Sequence, residues 1–252
     1  MRISEALDSG RIGVPYGQHG WRPAGCPPKP CGRGWRGVAG LVVALIFGGT
    51  LNFRAAETEA SRPTQVLVAY DSLSGHTEKA AAAVVEGARQ LTGVQVTLKR
   101  VEAVVREDLE AADGLVLGCP TYYGTMPGRM KTVIDDWSWK MKVDLTDKVG
   151  GAFATGGGQT GGKEFTVISL LMFMVNNRMV VAGPLYRNEK TGSVWAEAGA
   201  TAMTGPADPG VGEVELDSAR RLGHRVAELA VKLRRGVSSA SRTNPPSARA
   251  PE

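Results

Sequence analysis

The order of apolar and amphipathic segments constrains the fold of this chain more than any other feature of its sequence. From Thr64 onward, short apolar runs of strand length alternate with longer segments of helical periodicity. Such alternation predicts right-handed βαβ crossovers and a parallel sheet. The strand runs are apolar at nearly every position, which is typical of a sheet covered on both faces.

We therefore expect one α/β domain over residues 64–236. Its core is predicted to be a doubly wound five-stranded parallel sheet with helices on both faces. The predicted strands are 64–70, 94–100, 113–118, 148–155 and 179–183, and the predicted helices are 78–91, 106–112, 128–139, 163–177 and 214–235.

The two ends of the chain differ from this middle part in composition. Residues 1–60 begin with a stretch rich in Gly, Pro and Arg and predict a disordered leader, and residues 237–252 predict a disordered tail. An apolar segment at about 38–53 follows Arg33 and Arg36 and predicts a signal peptide or membrane anchor. The domain is then exported or membrane-anchored. The alternative is a cytoplasmic protein whose start is assigned too far upstream.

The charge distribution argues against a nucleic-acid partner. The chain carries a net charge of +5, but this excess of positive charge lies at the two ends, and residues 51–233 carry −2. No basic face with interleaved aromatic residues occurs in that middle part. Cys26 and Cys31 lack a second ligand pair, so no metal site is predicted, and Cys119 is interpreted as a small buried hydrophobe. No set of residues typical of hydrolysis or metal catalysis stands out.

The first unusual loop follows the first predicted strand and reads "SLSGHT" (residues 72–77, the first loop). Ligands of an open parallel sheet bind beyond the carboxyl ends of its strands, and a helix N-terminus favours an anion. Ser72, Ser74 and Thr77 add hydroxyl donors without the lysine of a P-loop. One compact phosphate fits these donors. The alternative is that Ser72 or Ser74 only caps the helix, with Glu78 in its first turn.

Two further loops follow the third and fourth predicted strands. The second loop (residues 120–124) places Tyr122 and Tyr123 where an aromatic side chain can stack on a planar ring, or else pack on neighbouring protein. The third loop (residues 155–162) is so rich in glycine that its backbone can approach a ligand closely and offer N–H groups. A flexible surface loop is the alternative. All three loops are predicted at the same edge of the sheet.

The three motifs, in this order on this βα pattern, resemble those of the flavodoxin-like FMN proteins. They are most similar to the WrbA type of NAD(P)H:quinone oxidoreductase, over about residues 64–235. The resemblance implies that the first loop holds the FMN phosphate, that the second lines the isoalloxazine ring, and that the third contacts its polar edge. The implied FMN-binding residues are Ser72, Leu73, Ser74, Gly75, His76 and Thr77; Pro120, Thr121, Tyr122, Tyr123 and Gly124; and Thr155, Gly156, Gly157, Gly158, Gln159, Gly161 and Gly162.

The resemblance implies an FMN-dependent enzyme that passes reducing equivalents from NAD(P)H to a quinone-like acceptor. The predicted helix "FTVISLLMFMV" (residues 165–175) is apolar on nearly every side and predicts a homo-oligomer, with deep burial of the helix as the alternative. The flavin carries the chemistry, so no side chain is assigned as catalytic. The sequence departs from the family at Asn176 and Asn177, where a histidine pair is common, and the family's tryptophan corresponds to Trp137 or Trp139. Two other classes stay open: a flavodoxin-type electron carrier and a flavin-free, membrane-tethered adaptor.

Overall fold

The computed structural model describes residues 62–183, 198–205 and 207–243, with side chains up to Gly236. The leader and its apolar segment at 38–53 lie outside these residues, so export or anchoring stays a prediction. Within the described ranges, no helix is both long and apolar enough to cross a membrane.

The sheet has the predicted parallel, doubly wound architecture. Its strands run in the order β2-β1-β3-β4-β5, so the winding reverses between β1 and β3. Crevices beyond strand ends at such a reversal are the usual ligand sites of open α/β sheets. The strands are β1 (Thr64–Tyr70), β2 (Val94–Arg100), β3 (Gly114–Pro120), β4 (Val149–Gly156) and β5 (Val180–Val181).

Helices cover both faces of this sheet. They are α1 (His76–Arg89), α2 (Arg106–Ala111), α3 (Gly128–Trp139), α4 (Lys163–Asn176) and α5 (Glu213–Thr243), with a 3-10 turn at Val101–Ala103. α1 and α5 pack on one face of the sheet, and α2, α3 and α4 pack on the other. Each helix that follows a strand begins at the edge where that strand ends, which positions the three loops.

A short strand, β6 (Ala200–Met203), was not predicted by the sequence pattern. It pairs with Phe153–Gly156 of β4, while β5 pairs with the first two residues of β4, so two short strands share one edge. Four residues, two of them alanine, are too few for a periodic signal, and alanine is depleted in strands. The fifth predicted strand, 179–183, is correspondingly shorter in the structure.

The last helix is longer than its amphipathic pattern. α5 continues to Thr243, into the stretch 237–252 for which composition predicts a disordered tail. Extending an existing helix adds one hydrogen bond per residue without a new nucleation cost, so serine and alanine can continue it.

Candidate functional site

The three loops meet at one edge of the sheet because β1, β3 and β4 are neighbours. Asp71 N–H donates to Gly118 O at 2.9 Å, and Thr121 N–H donates to Thr155 O at 2.7 Å. The buried hydroxyls of Thr77 and Thr155 lie 2.7 Å apart and hydrogen-bond the first loop to the third. The juxtaposition expected from the sequence is therefore present.

The first loop leads into a helix that no side chain caps. α1 begins after Gly75, whose φ of +88° is readily adopted only by glycine, and no described side chain bonds to its first N–H groups. The buried Ser72 hydroxyl accepts the Gly75 N–H at 3.1 Å, and Glu78 accepts a hydrogen bond from the Tyr70 hydroxyl at 2.8 Å. The capping alternative is therefore wrong, and the helix N-terminus is available to an anion.

The other members of the first loop differ in exposure. Leu73 and Ser74 point to solvent, whereas Ser72 and Thr77 are buried. His76 is half-buried, and its Nε2 lies 2.8 Å from Asp208 Oδ1, an ion pair when the imidazole is protonated. The structure thus attaches His76 to the segment that follows β6.

Two arginines that the sequence reasoning missed flank the first loop. Arg100, the last residue of β2, donates to Ser72 O and lies over the Tyr70 ring, 5.6 Å from its centroid. Arg129 comes from the first turn of α3. The first loop contains no lysine or arginine of its own, so its positive charge comes from neighbouring elements. The strand order of the sheet puts the end of β2 beside β1 and would have identified Arg100, but the sequence pattern does not predict that order.

Arg129 pairs with a buried carboxylate next to the first loop. Asp71 is 2% exposed, and its Oδ1 accepts a hydrogen bond from Arg129 Nε at 2.5 Å. This bond raises the pKa of Arg129, and Oδ2 of Asp71 has no partner among the described residues. The Arg129 guanidinium also lies over the Tyr122 ring, 5.7 Å from its centroid. The pair therefore connects the first and second loops.

The second loop exposes both of its tyrosines, Tyr122 partly (39%) and Tyr123 fully. Tyr122 forms a narrow turn with Thr125, in which each backbone N–H donates to the other residue's carbonyl. Tyr123 has a φ of +50° and a fully exposed ring. The alternative in which both tyrosines pack on neighbouring protein is wrong for Tyr123.

Two contacts hold the third loop in place: one with the backbone of the second loop and one with a buried lysine. A Cβ atom at Gly162 would lie 2.7 Å from Gly124 Cα, so the two loops touch there through backbone. Lys163 Nζ donates to Gly158 O at 2.6 Å and to Gln159 O at 3.0 Å. Gly157, Gly158 and Gly161 remain exposed.

The tryptophans and asparagines singled out by the sequence lie away from these loops. Trp137 is fully buried and meets Phe173 edge-on at 6.5 Å, whereas Trp139 is exposed. Trp139, Asn176 and Asn177 line a cavity of about 920 Å³ between α3 and α4. They belong to the C-terminal ends of these helices, whereas the loops precede the N-terminal ends. Cys119 is buried, and burial raises the pKa of its thiol.

The donors and open spaces at this edge fit an FMN molecule. An uncapped helix N-terminus and hydroxyl groups suit a phosphate, and an exposed tyrosine suits a flat ring. A Cβ atom at Gly75, Gly124 or Gly157 would meet no described atom within 4 Å, so each loop borders open space. No His/Cys/Asp/Glu group suited to a metal ion occurs among the described residues.

Known proteins resemble this chain in sequence. The family model for NADPH-dependent FMN reductase matches residues 99–191. A flavodoxin of Aquifex aeolicus is 37% identical over 165 residues, an alignment that covers 65% of this chain and 85% of the relative. An NAD(P)H dehydrogenase (quinone) of Sinorhizobium fredii is 35% identical, with 67% of this chain and 98% of the relative covered.

A solved structure agrees with these relatives. The flavodoxin, WrbA-like protein of Agrobacterium tumefaciens superposes with a TM-score of 0.54 at 26% identity, over 67% of this chain and 98% of that protein. Fold, loop geometry and relatives agree, and the chain therefore belongs to the WrbA-type NAD(P)H dehydrogenase (quinone) family of flavodoxin-like proteins.

Proposed function

We propose that this protein is an FMN-dependent oxidoreductase that transfers reducing equivalents from NAD(P)H to a quinone. The observation that carries the proposal is the meeting of the three loops at consecutive strand ends, joined by the hydrogen bond between the Thr77 and Thr155 hydroxyls. Relatives that are named NAD(P)H dehydrogenase (quinone) support the reaction class.

The first loop and the start of α1 are proposed to hold the FMN phosphate. The uncapped N–H groups after Gly75 and the hydroxyls of Ser72 and Thr77 are the donors. Arg100 stabilises this loop by its hydrogen bond to Ser72 O. Burial and the hydrogen bond to Glu78 raise the pKa of Tyr70, which keeps that phenol neutral. Since the proposed donors are helix N–H groups and neutral hydroxyls, the site binds an anion mainly through dipoles.

The second and third loops are proposed to orient the ring. Tyr123 offers an exposed aromatic face, and the Tyr122–Thr125 turn fixes where that face is presented. The exposed backbone of Gly157 and Gly158 is free to approach the polar edge of the ring. Bound FMN supplies the chemistry, because flavins accept a hydride and pass electrons on. The protein binds and orients, and no side chain is required to transfer a proton.

A binding titration tests the phosphate assignment. The purified protein is titrated with FMN and with riboflavin, which lacks the phosphate, while flavin fluorescence is followed. Thr77→Val is expected to weaken FMN binding by roughly 10- to 150-fold, because a hydrogen bond to a charged group contributes roughly 1.5–3 kcal/mol. Riboflavin binding should weaken less, since riboflavin loses only the effect of the bond between Thr77 and Thr155. The matched control is Thr132→Val, an exposed threonine of α3 that bonds only to Gly128 O among the described residues.

Steady-state oxidation of NADH and NADPH with benzoquinone tests the reaction. The protein is expected to turn over well above the rate of an equal concentration of free FMN. Turnover at the free-FMN rate by an FMN-loaded protein would instead favour an electron carrier, the second candidate, which the similarity to a flavodoxin supports. Absence of flavin binding would reject both redox functions and favour the adaptor.

Self-association is a further part of the proposal. The outer face of α4 exposes Phe165, Ile168, Met172 and Val175, while its inner face is buried in the core. Trp139 of α3 adds an exposed ring beside them. Apolar residues at helical spacing on one surface are typical of a protein interface. We infer that a second copy of this chain covers this face.

A further inference from the structure

Lys163 is a buried ammonium group with no carboxylate partner in the described part of the chain. The residue is 4% exposed, and its Nζ donates to two carbonyl oxygens of the third loop, those of Gly158 and Gln159. No described Asp or Glu oxygen lies within salt-bridge distance of Nζ. The neighbouring Glu164 points to solvent.

This placement is unfavourable for the protein alone. A buried charge that is not neutralised costs several kcal/mol unless hydrogen bonds compensate for it. Lys163 is also the first residue of α4, where the helix dipole disfavours a cation. Side chains that break two such rules at once are expected at functional sites. The two carbonyl oxygens compensate only partly, because they bring partial charges.

The side chain belongs to the wall that the third loop contributes to the candidate site. A Cβ atom at Gly156 would lie 3.0 Å from Lys163 Cγ and 3.6 Å from Thr121 Cβ, so the lysine stem runs between the second and third loops. Gly162, just before it, touches Gly124 of the second loop. The positive charge is therefore fixed beside the loop that faces the polar edge of the ring.

We propose that Lys163 is an electrostatic positioning residue that favours the reduced form of the flavin, an inference that rests on FMN binding at the three loops. A hydride from NAD(P)H delivers two electrons and one proton, so the reduced ring carries one negative charge more than the oxidised ring. Charge near the N1 edge is a known means by which proteins tune flavins. The reduced ring supplies the negative charge that no described carboxylate provides for the ammonium group.

The test compares the affinities for oxidised and reduced FMN, because their ratio sets the potential of the bound flavin. Lys163→Gln keeps a donor for the third loop but removes the charge, and Lys163→Arg keeps the charge. Lys163→Gln is expected to weaken binding of reduced FMN about tenfold relative to oxidised FMN, which lowers the two-electron midpoint potential by about 30 mV. Lys163→Arg should stay close to the wild-type potential.

Lys148→Gln is the matched control. Lys148 is half-buried, and its Nζ also donates to two backbone carbonyls, those of Glu110 and Ala112 at 2.9 and 2.6 Å, but it lies at the opposite edge of the sheet. Its replacement should leave the potential unchanged.

Three results would overturn the proposal. If Lys163→Gln binds both redox forms as tightly as the wild-type protein does, the charge does not act on the flavin. If it weakens both forms equally, the lysine only closes the loop. If the wild-type protein binds no FMN, the proposed function itself fails, and this outcome is distinguished from the others by the wild-type titration alone.

Discussion

Two charged side chains are buried in the described part of the chain, and both lie at the candidate site. They are Asp71 and Lys163, and only Asp71 has an ionic partner in the described ranges, which is Arg129. Removing the guanidinium leaves a carboxylate that is out of contact with water and unpaired. Because the Arg129 side chain is 40% exposed and only Asp71 is buried, we expect Arg129→Met to lower the free energy of unfolding by about 1–3 kcal/mol. Urea denaturation measures this change in the free energy of unfolding.

The control for this change lies two residues away on the same helix. Lys131 pairs with Asp135 on the solvent side of α3, and both side chains are exposed. Lys131→Met should cost less than about 0.5 kcal/mol, as exposed pairs do. In an Asp71→Asn background the Arg129→Met loss should shrink, since no buried charge is left. Equal losses of unfolding free energy in both backgrounds would show that the pairing with Asp71 is not their cause.

Cys119 provides a second prediction at the residue scale. Burial in the layer between the sheet and α3 raises the pKa of its thiol, with a smaller contribution from the charge of Asp71. The reactive thiolate is therefore scarce in the folded protein even at pH 9. Alkylation with iodoacetamide, mapped to Cys119 by mass spectrometry, should be slow in the folded protein and fast in urea. Rapid labelling under native conditions would show that this layer opens easily.

The residues that sequence reasoning missed share one property. Arg100, Arg129 and Lys163 are ordinary in their local sequence, and each gains its role from an element distant in the chain or from burial. The hydroxyls and glycines of the loops were predictable because their composition is itself unusual. A cation at the end of a neighbouring strand becomes visible only when strand order is known, as it is for Arg100 beside Ser72.

At the scale of elements, α1 and α5 cross at two glycines. A Cβ atom at Gly223 would lie 1.9 Å from Val84 O, and one at Gly87 would lie 1.8 Å from Arg220 O. These contacts are with backbone, which has little room to move. We expect Gly223→Ala to destabilise the protein by about 1–3 kcal/mol, because the overlap exceeds the gain in helix propensity.

Gly236→Ala is the control for Gly223→Ala. It lies on the same helix, and a Cβ atom there would meet no described atom within 4 Å. The same substitution should therefore be neutral or stabilising, by up to about 1 kcal/mol. Thermal unfolding of both variants distinguishes the effect of close helix packing from the effect of helix propensity. A stabilised Gly223→Ala variant would mean that the two helices can move apart.

The elements were predictable to different degrees for physical reasons. β1, β2 and α3 have the predicted bounds because a continuous pattern and clear punctuation mark them. α1 begins two residues earlier than its apolar pattern, because Gly75 rather than a hydroxyl residue ends the loop. β6 was missed because pairing with β4, not its own composition, makes it a strand.

Across the whole molecule, two surfaces differ in character. The edge beyond the strand ends carries the loops, and the outer side of α3 and α4 carries the apolar residues and the cavity of about 920 Å³. Since one α4 helix connects them, with Lys163 at its start and Asn176 at its end, association of two copies would be coupled to the site through a rigid element.

Charges on the exposed face of α4 would test self-association. The double change Ile168→Glu and Met172→Glu places two charges where a second copy is proposed to bind, and an unpaired buried charge costs several kcal/mol. We expect association to weaken by on the order of 100-fold or more, and size-exclusion chromatography with light scattering should then find a monomer. Val105→Glu, at an exposed position before α2, is the control and should leave the assembly intact. A wild-type protein that is monomeric at all concentrations, or a double variant that assembles like the wild type, would contradict the proposed interface. FMN binding measured on the same samples would then tell whether the site needs the second copy.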